Sequence, residues 1–182
     1  MPRWILLVVA TTFAAACQAP IQAQHDRDER GSFAEYATYA WITEQPMIRP
    51  RVGAVAQSTL MSPFLDQDVR AAVERNLAAK GYRQMREPAR ADLLVAFSVG
   101  ERDRIEANDT GRVGFRFSGT SVRSYTEGAL AIYFFDRASR RPVWYGWATG
   151  KLPAHPDSER RNEIVERAAD AVLQAFPQRV AM

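Results

Sequence analysis

"DLLVAFSVG", residues 92–100, alternates without a break: Leu93, Val95, Phe97 and Val99 fall on one side and Leu94, Ala96, Ser98 and Gly100 on the other. A period of two marks a strand, and a wholly apolar side must be covered by another layer. The covering layer is legible on both flanks. Upstream, "SPFLDQDVRAAVERNLAAKGY" (residues 62–82) has Ser62 to cap a helix, Pro63 at its first position, Asp66 and Asp68 near its start, Lys80 at its end and Gly81 beyond. Leu65, Val69, Ala72, Val73 and Leu77 share one face of it. Downstream, a helix starting at Asp157 or Ser158 presents Val165, Ala168, Ala169, Val172, Leu173 and Phe176, and Pro177 stops it.

Between and before these lie further strand patterns. "SFAEYATYAWI" (32–42) is rich in aromatic residues and predicts a first strand, followed by a Pro-punctuated loop from Glu44 to Met61. After a charged loop, "RVGFRF" (112–117) offers an optional short strand and "SYTEGALAIYFFD" (124–136) a long one. "RASRR" (137–141) connects the latter to "VWYGWATG" (143–150), opened by Pro142, as an antiparallel hairpin. The order β-α-β-β-β-α predicts an α+β fold: a mostly antiparallel sheet of about four to five strands with two helices packed on one face. At 182 residues the chain suits a single domain, read as residues 33–177 with a short tail at 178–182.

The N-terminus carries an address. Arg3 and the free amine precede the apolar run "ILLVVATTFAAA", the pattern of a secretory signal peptide over residues 1–16, and the run is short of the roughly 20 residues needed to span a bilayer. Cys17, the chain's only cysteine, follows directly, so no internal disulfide exists. "AAAC" resembles the bacterial lipobox, with a departure at Ala14 where Leu is favoured. That resemblance implies a lipid anchor on Cys17, and Gln18 in place of Asp after it implies the outer membrane, facing the periplasm; the alternative is an ordinary leader and a soluble periplasmic protein. Residues 17–32, including "HDRDER", are polar and aperiodic and predict a flexible tether.

Together, "SFAEYATYAW", "AAVERNLAAKGY", "ADLLVAFSV", "SYTEGALAIYFFD", "RRPVWYGWATG" and "IVERAADAVLQAFP" resemble the bacterial envelope proteins grouped as domain of unknown function 4136. The similarity spans roughly residues 33–177 and rests on strand and helix cores. It implies an exported, often lipid-anchored protein and brings no catalytic residues with it.

Chemistry is sparse. A net charge of +3, about +2 once Arg3 leaves with the leader, is too small to draw polyanions, and no nucleic-acid partner is expected. The two histidines, His25 and His155, cannot build a zinc site. His155 with Asp157 and Ser158 lacks a nucleophile-elbow pattern, and the blander reading is a turn into the last helix. "GRVGFRFSG" (111–119) lacks phosphate-loop and dinucleotide spacing, and Glu101, Asp103, Glu106 and Asp109 lack the ligand order of a calcium loop. No cofactor is expected.

Two surfaces stand out. Arg116 and Arg123, beside Phe115, Phe117 and Tyr125, could meet anionic glycans or lipid headgroups, or simply lay their stems over apolar surface. The strand from Tyr125 is apolar on both faces: Leu130, Ile132 and Phe134 on one, Tyr133 and Phe135 on the other, where Tyr145 and Trp147 of the next strand join them. A sheet with helices on only one face should alternate with polar residues, so the second face needs a cover. The candidates are the loop at 44–61 with Met47, Ile48 and Val52, an envelope protein partner, or an apolar ligand. Glu127 is a lone carboxylate among these residues. The reading is a non-enzymatic envelope lipoprotein presenting an interaction or assembly domain; the alternatives are a periplasmic hydrolase and a small-ligand binder.

Overall fold

The computed structural model of the chain describes residues 20–42, 64–109, 120–153 and 156–179, and side chains outside 102–124. The elements are β1 (Gln22–Arg27), β2 (Thr38–Trp41), α1 (Leu65–Ala79), β3 (Arg83–Gln84), β4 (Leu93–Asp109), β5 (Thr120–Asp136), β6 (Pro142–Leu152) and α2 (Ser158–Leu173), with a short 3-10 turn at Pro88–Arg90. They form an α+β domain around one six-stranded sheet of order β1-β6-β5-β4-β2-β3.

The sheet is mixed, which corrects the expected mostly antiparallel sheet of four to five strands. β4 pairs with β5, β5 with β6 and β6 with β1 antiparallel, but β2 runs parallel to both β4 and β3. The parallel pairing follows from α1, which carries the chain from the end of β2 back across the sheet. Its clamp is Asp92, whose carboxylate accepts from the Ala37 and Thr38 backbone N–H groups at 3.0 and 2.9 Å and from the Thr38 hydroxyl at 2.7 Å. Burial pushes the Asp92 carboxyl up, but these hydrogen bonds and nearby Arg137 outweigh it and hold the group below its ordinary value.

The segment read as a tether also needs correcting, because Gln22–Arg27 is a strand along the outer edge of β6, from Gln22 opposite Thr149 to Arg27 opposite Trp144. Backbone pairing asks nothing of side chains, and all six stay exposed, which is why no apolar pattern announces the strand. The charged residues after Gly100, expected as a loop, continue β4 to Asp109, paired with β5 as far as Thr120. The first predicted strand shrinks to Thr38–Trp41. Ser62 and Pro63, the strand at 113–117 and the loop at 44–61 lie outside the described residues.

The expected helix packing is present. Leu93, Val95, Phe97 and Val99 of β4 join the two helices in one core. Gly81, at φ +87°, ends α1 in the left-handed region that glycine tolerates. Asp157 caps α2, accepting from the Arg160 N–H at 2.7 Å. Arg161 lies 3.9 Å from Asp68, Arg75 2.9 Å from Glu166 and Asn76 2.7 Å from Asp170, so the two helices run side by side in the same direction.

The core narrows along the β5–β6 pair. On the helix-facing side Phe134 lies opposite Trp144, Ile132 opposite Gly146, Leu130 opposite Ala148 and Gly128 opposite Gly150. Phe176 fills the wide end, stacked on Phe134 with ring centroids 4.1 Å apart. Towards Gly128 and Gly150 the side chains run out.

Candidate functional site: an aromatic sheet face and an apolar cleft

The helix-free face of the sheet carries a ladder of rings. Because β5 and β6 place Tyr133 opposite Tyr145, the two rings stack with centroids 4.8 Å apart. Trp147 extends the row beyond Tyr145 at 5.0 Å, and Phe135 extends it beyond Tyr133 at 6.4 Å. All four are half-buried, each ring shielding the next. Ser98 of β4 reaches the Tyr133 hydroxyl at 3.5 Å. Burial, and then the neighbouring Tyr133, raise the Tyr145 phenol above its ordinary value, so it stays neutral at physiological pH. At one end the row is closed by a small cluster in which Leu94, Ala40 and Ala91 pack with Ile42, Met85 and Phe135.

Four of the predicted surface residues, Tyr133, Phe135, Tyr145 and Trp147, are thus brought together. Tyr125 belongs to the same face further along β5, with the Lys151 ammonium 4.1 Å from its ring centroid. Arg123 sits opposite Glu106 in the β4–β5 register, and its side chain lies outside the described residues. Cys17, Arg116 and His155 also lie outside them. Glu127 stands opposite Lys151 on β6, and Asp157 is committed to capping α2.

On the helix side, where the core runs out of side chains, the sheet and helices part to leave an apolar cleft of about 330 Å³. Its floor is the Gly128–Gly150 pair; its walls include Ile21, Leu65, Val69 and Leu152; α2 supplies Arg160, Ile164, Arg167 and Ala168, spaced to share one helix face. Sequence reading missed this cleft. Its signal, two glycines in otherwise apolar strands, acquires meaning only once the register sets them opposite each other.

Among the described residues no three His, Cys, Asp or Glu side chains are grouped to hold a metal ion, and no helix is long and apolar enough to cross a membrane.

Fold and surfaces define a class: an α+β domain with both helices on one side of a mixed sheet and an aromatic ladder on the other. The chain belongs to the family described as Domain of unknown function (DUF4136), whose model matches residues 23–178. That match begins within the segment now seen as β1. No curated protein matches the chain. Among solved structures it is similar to the PelC dodecamer from Paraburkholderia phytofirmans, at 10% identity over 89% of this chain and 100% of that one, with a TM-score of 0.51. It is also similar to a DUF4136 family protein from Bacteroides thetaiotaomicron, at 17% identity over 86% of this chain and 94% of that one, with a TM-score of 0.47. A PDZ domain protein from Parabacteroides distasonis is similar at 15% identity over 90% of this chain and 37% of that one, with a TM-score of 0.47.

Proposed function

We propose that the chain is a non-enzymatic lipoprotein of the bacterial envelope, anchored through Cys17 in the outer membrane and presenting a protein-interaction domain to the periplasm. The observation that carries the interaction role is the four-ring ladder on the helix-free face. Aromatic residues are enriched at protein interfaces because they bury large area with little side-chain entropy to lose, and Tyr adds a polar tip for orientation. The dodecamer named for PelC, whose fold this chain shares, supports an assembly role of this kind.

The test combines anchoring and contact in cells. A photo-crosslinking amino acid in place of Trp147 is expected to capture an envelope protein, whereas the same group in place of Gln67, exposed on α1, captures none. Cys17→Ser is expected to release the chain from membranes. Loss of any adduct specific to position 147 would overturn the interaction role, and a Cys17→Ser chain that stays membrane-bound would overturn the anchor.

A further inference from the structure

The geometry points to the cleft beside Gly128 and Gly150 as a binding site for one anionic single-chain amphiphile, its tail between sheet and helices and its head at α2. The cleft lies on the helix side of the sheet, away from the aromatic ladder, so the inference does not depend on the proposed interaction role.

Three observations carry it. The space is about 330 Å³, at the lower end of the roughly 300–1,000 Å³ of small-ligand sites. It follows from the backbone register: Gly128 and Gly150 face each other where the neighbouring pairs supply Leu130 with Ala148 and Phe134 with Trp144. A Cβ built on Gly150 would be in ordinary contact with Ile21 at 3.4 Å and with the Pro20–Ile21 backbone at 3.9–4.0 Å, and one on Gly128 would press on the Leu152 side chain at 2.9–3.0 Å, so Ile21 and Leu152 close the glycine end and the space lies between them and α2. The lining is asymmetric in charge. Its cations are Arg160 and Arg167 on α2 and Lys151 on β6, and among the described lining residues none is a carboxylate. Glu163, the ion-pair partner of Arg160, is not part of the lining. An apolar slot with cations at one side suits a hydrocarbon tail ending in a carboxylate or phosphate: the tail gains from leaving water and the head from charge-assisted hydrogen bonds to guanidinium.

The test is calorimetric titration of dodecanoate and dodecanol into the chain carrying Cys17→Ser, which has no acyl group of its own. Saturable one-to-one binding of dodecanoate is expected, about tenfold tighter than dodecanol because the alcohol lacks the charge. Decanoate, two methylenes shorter, is expected to bind about tenfold more weakly than dodecanoate. Ala168→Phe fills the cleft from the helix and is expected to abolish binding with the fold retained by circular dichroism; Ile164→Trp fills it from one turn earlier on α2 should Ala168→Phe not fold. Arg160→Gln with Arg167→Gln is expected to bring dodecanoate down to the level of dodecanol. Absence of saturable binding, binding that survives a folded cleft-filling variant, or equal binding of alcohol and carboxylate would each overturn the assignment. So would a wild-type chain isolated from membranes that refuses dodecanoate when the Cys17→Ser chain takes it, because the occupant would then be the chain's own acyl group, four residues from Ile21.

Discussion

Asp92 shows how one side chain sets the topology. Its carboxylate ties the residues before and at the start of β2 to the start of β4 through three hydrogen bonds, and its own N–H donates to the Thr38 hydroxyl at 3.0 Å. Two strands separated by a helix are thereby locked in parallel at the point where they meet. Replacing it with Asn keeps the shape but removes the charge and one acceptor, so Asp92→Asn is expected to lower the unfolding free energy by about 1–2 kcal/mol at neutral pH. The pH dependence follows from the sign of the shift. Asp92 titrates below its ordinary value near 3.8 when folded, so its contribution is complete above that value and is lost as pH falls through the folded pKa. Denaturant unfolding of both proteins should show the gap between them closing below about pH 4. A gap that persists unchanged in acid would mean that the hydrogen-bond geometry, and not the charge, does the clamping.

At the scale of elements, the strands divide by what holds them. β4 and β5 are paired on both sides near Leu93–Val95 and Phe134 and are covered by both helices, whereas β1 has six exposed residues and one neighbour. Beyond the backbone, the His25 ring stacks on Trp144 at 6.2 Å, the Arg27 guanidinium lies 4.6 Å from the Phe33 ring centroid, and the strand runs beside α2. Native-state hydrogen exchange should therefore find the β1 amides that bond to β6 opening about a hundredfold more often than those of Leu94–Phe97. Equal protection would make β1 part of the cooperative core. The same division decides what was legible beforehand. The period of Leu93, Val95, Phe97 and Val99 and the stripe of α1 are consequences of burial, and burial writes apolar residues into sequence. β1 is made of backbone bonds with no burial, and the extension of β4 to Asp109 carries charged residues, so both read as loop or tether. The four aromatic positions Tyr133, Phe135, Tyr145 and Trp147 were readable as a face, but their union into one row required the β5–β6 register. The cleft required more: an absence of side chains at two positions 22 residues apart, which no local window contains.

For the whole molecule, one sheet serves two unlike surfaces. Its helix side tapers from the packed rings of Phe134, Trp144 and Phe176 to the Gly128–Gly150 pair, bordered by Leu152 and Ile21, and its other side runs the aromatic ladder over the same two strands. Alternation along β5 and β6 keeps the two sets of side chains apart: none of the four ladder residues lines the cleft. Perturbations of the two surfaces should then add. Dodecanoate at 100 times its dissociation constant is expected to raise the unfolding free energy by about 2.7 kcal/mol. Tyr145→Ala with Trp147→Ala removes two stacked rings and is expected to lower it by about 2–4 kcal/mol. In the double variant the increment from dodecanoate should be unchanged within about 0.5 kcal/mol, measured by denaturant unfolding with and without the amphiphile. A smaller increment would show that the shared backbone of β5 and β6 transmits strain from one face to the other, because rings on the far side would then be shaping a cleft they do not touch. Such coupling would make the domain a device in which a bound tail alters the face presented to a partner; additivity would make it two independent sites carried by one sheet.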